Sequence, residues 1–158
     1  MTKELTYMVN ISWSRYFRGI AGHVKLKSKD NNTKIGAVIV GPDNEIVSTG
    51  YNSFPRGIDD SVFERQERPE KYYWFEHSER NAIYNAARIG VSTKGCTMYL
   101  TCGIPCADCT RGIINAGIKE IYIEQFGEDG AKGPQWEEST KRSIIMLGEA
   151  GVVVNYYE

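Results

Sequence analysis

Apolar positions recur along this chain with two different spacings, and the switches between them mark out its elements. From about Ile11 to Lys29, Trp13, Tyr16, Phe17, Ile20, Val24 and Leu26 form an approximate helical stripe, which predicts a first helix. The runs IGAVIVG (Ile35–Gly41) and EIVSTGYN (Glu45–Asn52) are continuous or alternating, and the PDN between them carries turn chemistry, so a β-hairpin is expected. HSERNAIYNAARIG reads as a helix ended by Gly90, and CTMYLT as a short strand. CADCTRGIINAGI follows Pro105, a residue favoured where helices begin, and reads as another helix. KEIYIEQF predicts a strand, Gln135 to Leu147 a helix and GVVVNYY a last strand.

The order is therefore αββαβαβαβ. Later strands that alternate with helices imply parallel pairing covered on both faces, and the opening hairpin makes the sheet mixed. No repeat, low-complexity tract or linker interrupts the pattern, so a single domain over residues 1–158 is expected. One segment does not fit it. SFPRGIDDSVFERQERPEKYYWF (Ser53–Phe75) is charged and without clear period, which suits either a functional binding loop or a surface excursion carrying a short helix.

Composition narrows the partners. The 158 residues hold 41% hydrophobic and 25% charged residues with a formal net charge of −1, the balance of an ordinary globular domain. No apolar run approaches the roughly 18–20 residues that cross a bilayer, so no membrane partner is expected. MTKELTYMVN lacks an apolar signal core, which predicts a cytoplasmic protein. There is no dense basic run of the kind that tracks a polynucleotide backbone. A single nucleotide needs only one or two cations and stays open as a partner.

The four cysteines, Cys96, Cys102, Cys106 and Cys109, crowd into one short stretch, which suits metal binding better than a disulfide framework. Cys106 and Cys109 stand three apart at a helix start, so both thiols face one side of its first turn. His77 opens another helix of the same polarity. If both helices follow strands of one sheet, their N-termini converge, and two sulfurs with one nitrogen suit tetrahedral Zn²⁺ with an open fourth position. Glu79 lies two residues beyond His77, roughly 200° around an ideal helix, and is poorly placed to join it on the metal. It is placed instead to take a proton from a water there, which is the geometry of a hydrolytic site. The alternatives are a four-cysteine structural site that includes Cys96 and Cys102, or a redox CxxC pair. His23 sits mid-helix without ligand spacing and reads as structural.

His77-Ser78-Glu79 with Pro105-Cys106-Ala107-Asp108-Cys109 resembles the signature of the zinc-dependent cytidine deaminase superfamily. SKDNNTKIGAVIV, GYNSFPRG, RPEKYYWFEHSERNAI and NAGIKEIYI look like its deoxycytidylate (dCMP) deaminase branch, over about Ser28 to Ile123. The resemblance implies a three-layer αβα, cytidine-deaminase-like fold with a five-stranded mixed β-sheet. It implies hydrolysis of dCMP to dUMP and ammonia, with one catalytic Zn²⁺ on His77, Cys106 and Cys109 and with Glu79 as the proton carrier. Asn52 matches a sugar-contacting asparagine; Asn32 is a candidate for the same pocket, and backbone around Ser78 and Ile104 for the base edge.

Two positions depart from that branch. Ser78 stands where alanine is usual, and Ser53 follows Gly50-Tyr51-Asn52 where a fourth glycine is usual. The motif implies a dCTP (activating) and dTTP (inhibiting) effector site with Mg²⁺, and a homo-oligomer, by resemblance a hexamer. Tyr51, Ser53, Arg56, Arg65, Arg68 and Lys71 are the candidate effector contacts, the four cations as phosphate partners. Ser53–Phe75 holds no Cys or His, so no second zinc is expected there. The GEDGAKG loop (Gly127–Gly133) offers Lys132 to a substrate phosphate. Rival readings are a deaminase of cytidine, guanine or tRNA adenosine, and a non-catalytic zinc-stabilised nucleotide-binding module.

Overall fold

A computed structural model describes residues 11–125 and 134–158. Helix α1 (Trp13–Val24) is capped by Ser12, whose hydroxyl accepts from the Arg15 amide at 3.3 Å. It is shorter than the expected Ile11–Lys29, because the chain tightens into a 3₁₀ turn at Lys25–Lys27. The stripe is also narrower than its pattern suggested. Phe17 and Ala21 are fully buried, whereas Trp13, Tyr16 and Leu26 stand exposed. Gly36 explains where the helix seats, since a Cβ there would lie 2.1 Å from the Ala21 carbonyl oxygen.

Strands β1 (Gly36–Val40) and β2 (Ile46–Tyr51) form the expected antiparallel hairpin. Its turn is closed by a hydrogen bond from the Gly41 amide to the Glu45 carbonyl and carries Asn44 at φ 62°, a left-handed conformation asparagine tolerates. The Ser53–Phe75 segment is not structureless. It contains a 3₁₀ turn at Phe63–Gln66 and the single-turn helix α2 (Lys71–Trp74). Helix α3 (Ser78–Ile89) follows, ended by Gly90 at φ 77° as its sequence predicts.

Strand β3 (Thr97–Leu100), helix α4 (Ala107–Asn115), strand β4 (Glu120–Ile123), helix α5 (Pro134–Ala150) and strand β5 (Val153–Tyr156) complete the chain. The sheet order is β2-β1-β3-β4-β5, antiparallel on either side of β1 and parallel from β3 to β5. Side chains alternate across it with period two. Val38, Val40 and Tyr99 pack beneath α1 with Phe17, and Ala37, Ile39, Met98, Leu100, Ile121 and Ile123 face the other layer with Ala82, Ile113 and Leu147. Helices α4 and α5 share a face because successive parallel crossovers keep one hand.

This topology positions the site. Strands β2 and β3 both run antiparallel to β1, so their C-terminal ends lie at one sheet edge, and α3 and α4 begin beyond them. Helix α3 is stitched onto β2. Asn85 and Asn81 amides donate to the Thr49 and Tyr51 carbonyls at 2.7 and 2.8 Å, and the Ser48 hydroxyl donates to the Ala82 carbonyl at 2.7 Å. Gly50 permits that approach, since a Cβ there would lie 2.3 Å from the Ala82 nitrogen.

Candidate active site and metal centre

His77 is the residue immediately before α3, with extended backbone angles, and Cys106 occupies the same position before α4. The two helix starts carry the three donors together. His77 Nδ1 lies 3.5 Å from Cys106 Sγ and 3.4 Å from Cys109 Sγ, and the three donor atoms all lie within 4.8 Å of one another. A tetrahedral zinc ion, with Zn–N near 2.0 Å and Zn–S near 2.3 Å, would separate nitrogen and sulfur by about 3.5 Å. The spacing therefore fits zinc. The local chain enforces it, because the Cys109 amide donates to Cys106 Sγ at 3.5 Å, tying both sulfurs to the first turn of α4.

Charge points the same way. The hydrogen bond from Cys109, with another from His77, pulls the Cys106 thiol down to about 4 despite its burial. The same neighbouring sulfur, burial and the Glu79 charge push the Cys109 thiol strongly up. The His77 ring is raised, chiefly by its hydrogen bond with Cys106. Two adjacent sulfurs thus share one negative charge, and a divalent cation between them removes the repulsion that keeps the second proton on. Burial opposes the Arg80 charge, but Cys109, Glu76 and Cys106 outweigh it and raise the guanidinium. Arg80 pairs with Glu76 at 2.6 Å, so a cation stands beside the sulfurs.

Glu79 is buried and lies outside the three-donor set. Its carboxylate accepts from the Ser78 hydroxyl at 3.0 Å and from the Cys102 thiol at 3.8 Å. His77, Cys106, Glu79 and its two partners open onto a cavity of about 190 Å³. Its walls include His77, Ser78, Glu79, Cys102, Ile104 and Cys106, together with Asp30, Thr33, Ile35 and Asn52. Arg68, Lys71, Tyr72, Phe75 and Trp136 close the remainder.

Residues 11–125 match the family model described as the cytidine and deoxycytidylate deaminase zinc-binding region. The chain belongs to that family. It is 38% identical over 144 residues to an uncharacterized deaminase in the luxG 3′ region of Aliivibrio fischeri, covering 91% of this chain and 92% of that one. It is 40% identical over 118 residues to the deoxycytidylate deaminase of Homo sapiens, covering 72% of this chain, and spans 65% of the human protein's length. In fold it matches the dCMP deaminase of cyanophage S-TIM5, solved in complex with dCMP and dUMP, with a TM-score of 0.71 at 23% identity and 99% coverage of both chains. The five-stranded mixed sheet is that family's fold. The His/Cys/Cys set fits the metal its description names, and the alternative four-cysteine site does not form, since Cys96 and Cys102 lie outside the donor group.

The remaining expected residues divide. Ser78, Ile104 and Asn52 line the cavity. Asn52 already spends both amide hydrogens on the Thr33 carbonyl at 2.7 Å and Asp30 at 3.3 Å, while its oxygen accepts from the Ile35 amide at 2.8 Å. It clips the segment before β1 to the end of β2. Asn32 is exposed, with its amide on Asp30 at 2.8 Å, and is not among the cavity walls. Arg68 and Lys71, expected at an effector site, instead border the same cavity as Glu79. Arg65 stacks over Trp74 at 3.8 Å, and Arg56 donates to Asn85 at 2.7 Å. Ser53 pairs its backbone with Glu76 in both directions, and the Tyr51 carbonyl accepts from Asn81. The Gly127–Gly133 loop with Lys132 lies outside the described residues.

Sequence reasoning missed Asp30, Cys102 and Trp136 as cavity residues. Asp30 is nearly inaccessible and pairs with Lys71 at 2.7 Å, tying the segment before β1 to α2. No local spacing could announce a pair 41 positions apart.

Proposed function

We propose that this protein hydrolyses dCMP to dUMP and ammonia. The observation that carries the reading is a buried carboxylate, Glu79, beside but outside a three-donor set that fits zinc, in a cavity that also presents Arg68 and Lys71. His77, Cys106 and Cys109 would hold the ion, which supplies the Lewis acidity that brings the pKa of water toward neutrality. Glu79 receives the proton from the attacking water, gives it to ring N3, and later serves the amine that departs from C4. Ile104 and the backbone at Ser78 would hold the base edge, a reading supported by the place of both residues on the cavity wall. Arg68 supplies the positive charge that a 5′-phosphate needs and a nucleoside does not, while Lys71, on the same wall, is paired with Asp30. The likeness of the GYN motif to the deoxycytidylate deaminase branch extends the reading to control by dCTP and dTTP with Mg²⁺ and to a cytoplasmic homohexamer.

The test is ammonia release from dCMP and from deoxycytidine by the zinc-loaded chain, with and without dCTP or dTTP plus Mg²⁺. Glu79→Gln should keep its zinc and lose roughly 10²–10⁴-fold in kcat, as expected when the proton carrier is removed. Preference for deoxycytidine would overturn the nucleotide assignment. An active Glu79→Gln variant would remove Glu79 from the chemistry.

A further inference from the structure

The geometry points to Ser78 and Cys102 as positioning residues that hold the two oxygens of Glu79 separately. This inference rests on the deaminase reading and deepens it. The Ser78 hydroxyl donates to Oε2 at 3.0 Å and the Cys102 thiol to Oε1 at 3.8 Å, so each carboxylate oxygen has its own side-chain partner from a different element. Ser78 comes from the first turn of α3, and Cys102 from the segment between β3 and α4. All three residues are at most 4% exposed, so solvent offers little competition for these contacts.

A glutamate has three rotatable bonds, and a proton carrier must keep its oxygens within hydrogen-bond reach of two successive sites. A buried carboxylate placed about 1 Å away loses on the order of 100-fold in rate. The chemistry of the two partners suits this task. An arginine or lysine could only donate, and would oppose each arrival of a proton. A hydroxyl donates to a carboxylate and, once that oxygen is protonated, turns and accepts. The thiol is a weak donor and weak acceptor, so it steers Oε1 without binding it tightly. Ser78 thus has a consequence that alanine at the same position could not have, since it adds the only hydroxyl bonded to Glu79 among the described residues.

The experiment uses the full zinc-loaded chain with Ser78→Ala, Cys102→Ala, the double variant and Cys102→Ser. Ser78→Ala should lower kcat for dCMP about 10-fold and Cys102→Ala about 3-fold, the range for losing one hydrogen bond to a charged group and one weaker one. KM and zinc per chain should stay at parental values with each variant folded at the assay temperature, and Cys102→Ser should recover most of the lost kcat. A crystal structure of the double variant should show the Glu79 carboxylate displaced or in more than one rotamer. Parental kcat in the double variant, or a fall in kcat matched by equal loss of zinc or folded protein, overturns the positioning role. So does an unchanged single Glu79 conformer. If the parent does not deaminate dCMP, the functional reading fails, and the crystallographic result still decides whether the two donors hold the carboxylate.

Discussion

The His77/Cys106/Cys109 centre and the Asp30–Lys71 clasp border the same cavity, yet they are held in place by different means. The donors sit at or beside the starts of two helices, and those helices are fixed by the sheet: α3 is stitched to β2 by three side-chain hydrogen bonds, and the Cys109 amide bonds directly to Cys106. The clasp depends on side chains from two irregular segments. Lys71 reaches Asp30 from α2, and Asp30 also accepts from the Asn32 and Thr33 amides at 2.8 and 3.1 Å and from the Asn52 side chain at 3.3 Å. A site built on helix starts inherits the rigidity of the core. A wall built from an ion pair can be altered residue by residue without disturbing the metal. The comparison therefore predicts that chemistry and substrate grip respond to different substitutions.

The largest effect falls on the donor set. Cys109→Ala removes a completely buried sulfur that accepts or shares charge with both other donors. With two protein ligands left, zinc affinity should fall by several orders of magnitude, and turnover on the order of 10³-fold or more. Metal analysis of the purified variant should give well under one zinc per chain, while Lys71→Ala should give the parental ratio. Equal zinc loss in both variants would erase the distinction between the two regions.

That distinction also governs how much could be read in advance. The donors were legible because each lies within three residues of a helix start, and His77-x-Glu79 and Cys106-x-x-Cys109 are local spacings. The strands were legible because Val38–Ile39–Val40 belongs to a short continuous apolar run and Ile121–Tyr122–Ile123 alternates with period two. The first helix was overextended because Leu26 continues a helical stripe that the backbone abandons after Val24. Ser53–Phe75 resisted reading because its short elements are fixed by distant partners: Glu76 for Ser53, Asp30 for Lys71 and Lys29 for Gln66. Arg68 and Lys71 were recognised as phosphate-seeking cations, but their place on the cavity is a tertiary fact that no local spacing carries.

An intermediate effect is expected at the clasp, and pH gives it a sign. Burial works against the Asp30 charge, but Lys71 and the Asn32 and Thr33 amides outweigh it and hold the carboxyl below the usual range. Its folded value thus lies under the unfolded value of about 3.9, so the pair's stabilisation is complete above that pH and is lost as pH falls through the lower folded value. Asp30→Asn alone leaves the largely buried Lys71 charge without its carboxylate, and should cost about 3 kcal/mol at neutral pH. The double variant Asp30→Asn/Lys71→Met should recover much of that cost. Denaturant titrations at pH 7 and pH 3 check the reading: the gap between parent and double variant should shift against the parent at the lower pH. A gap independent of pH would mean that the ion pair is not what fastens this wall.

The smallest effect belongs to the outer part of the same excursion, where Arg65 lies over the Trp74 ring at 3.8 Å and donates to the Asp59 carbonyl at 2.8 Å. Arg65 was grouped with Arg68 and Lys71 as a phosphate partner, yet it is not among the cavity walls. A cation–π contact at an accessible site contributes about 0.5–1 kcal/mol. Arg65→Ala should therefore lower Tm by a few degrees and leave KM for dCMP within twofold, whereas Arg68→Ala should raise that KM about 10-fold or more through loss of a charge-assisted phosphate contact. Reversal of that order would move the phosphate grip from the cavity to the outer surface of the excursion. The two arginines stand three residues apart, so this pair of substitutions locates the boundary between the wall that touches substrate and the scaffold behind it.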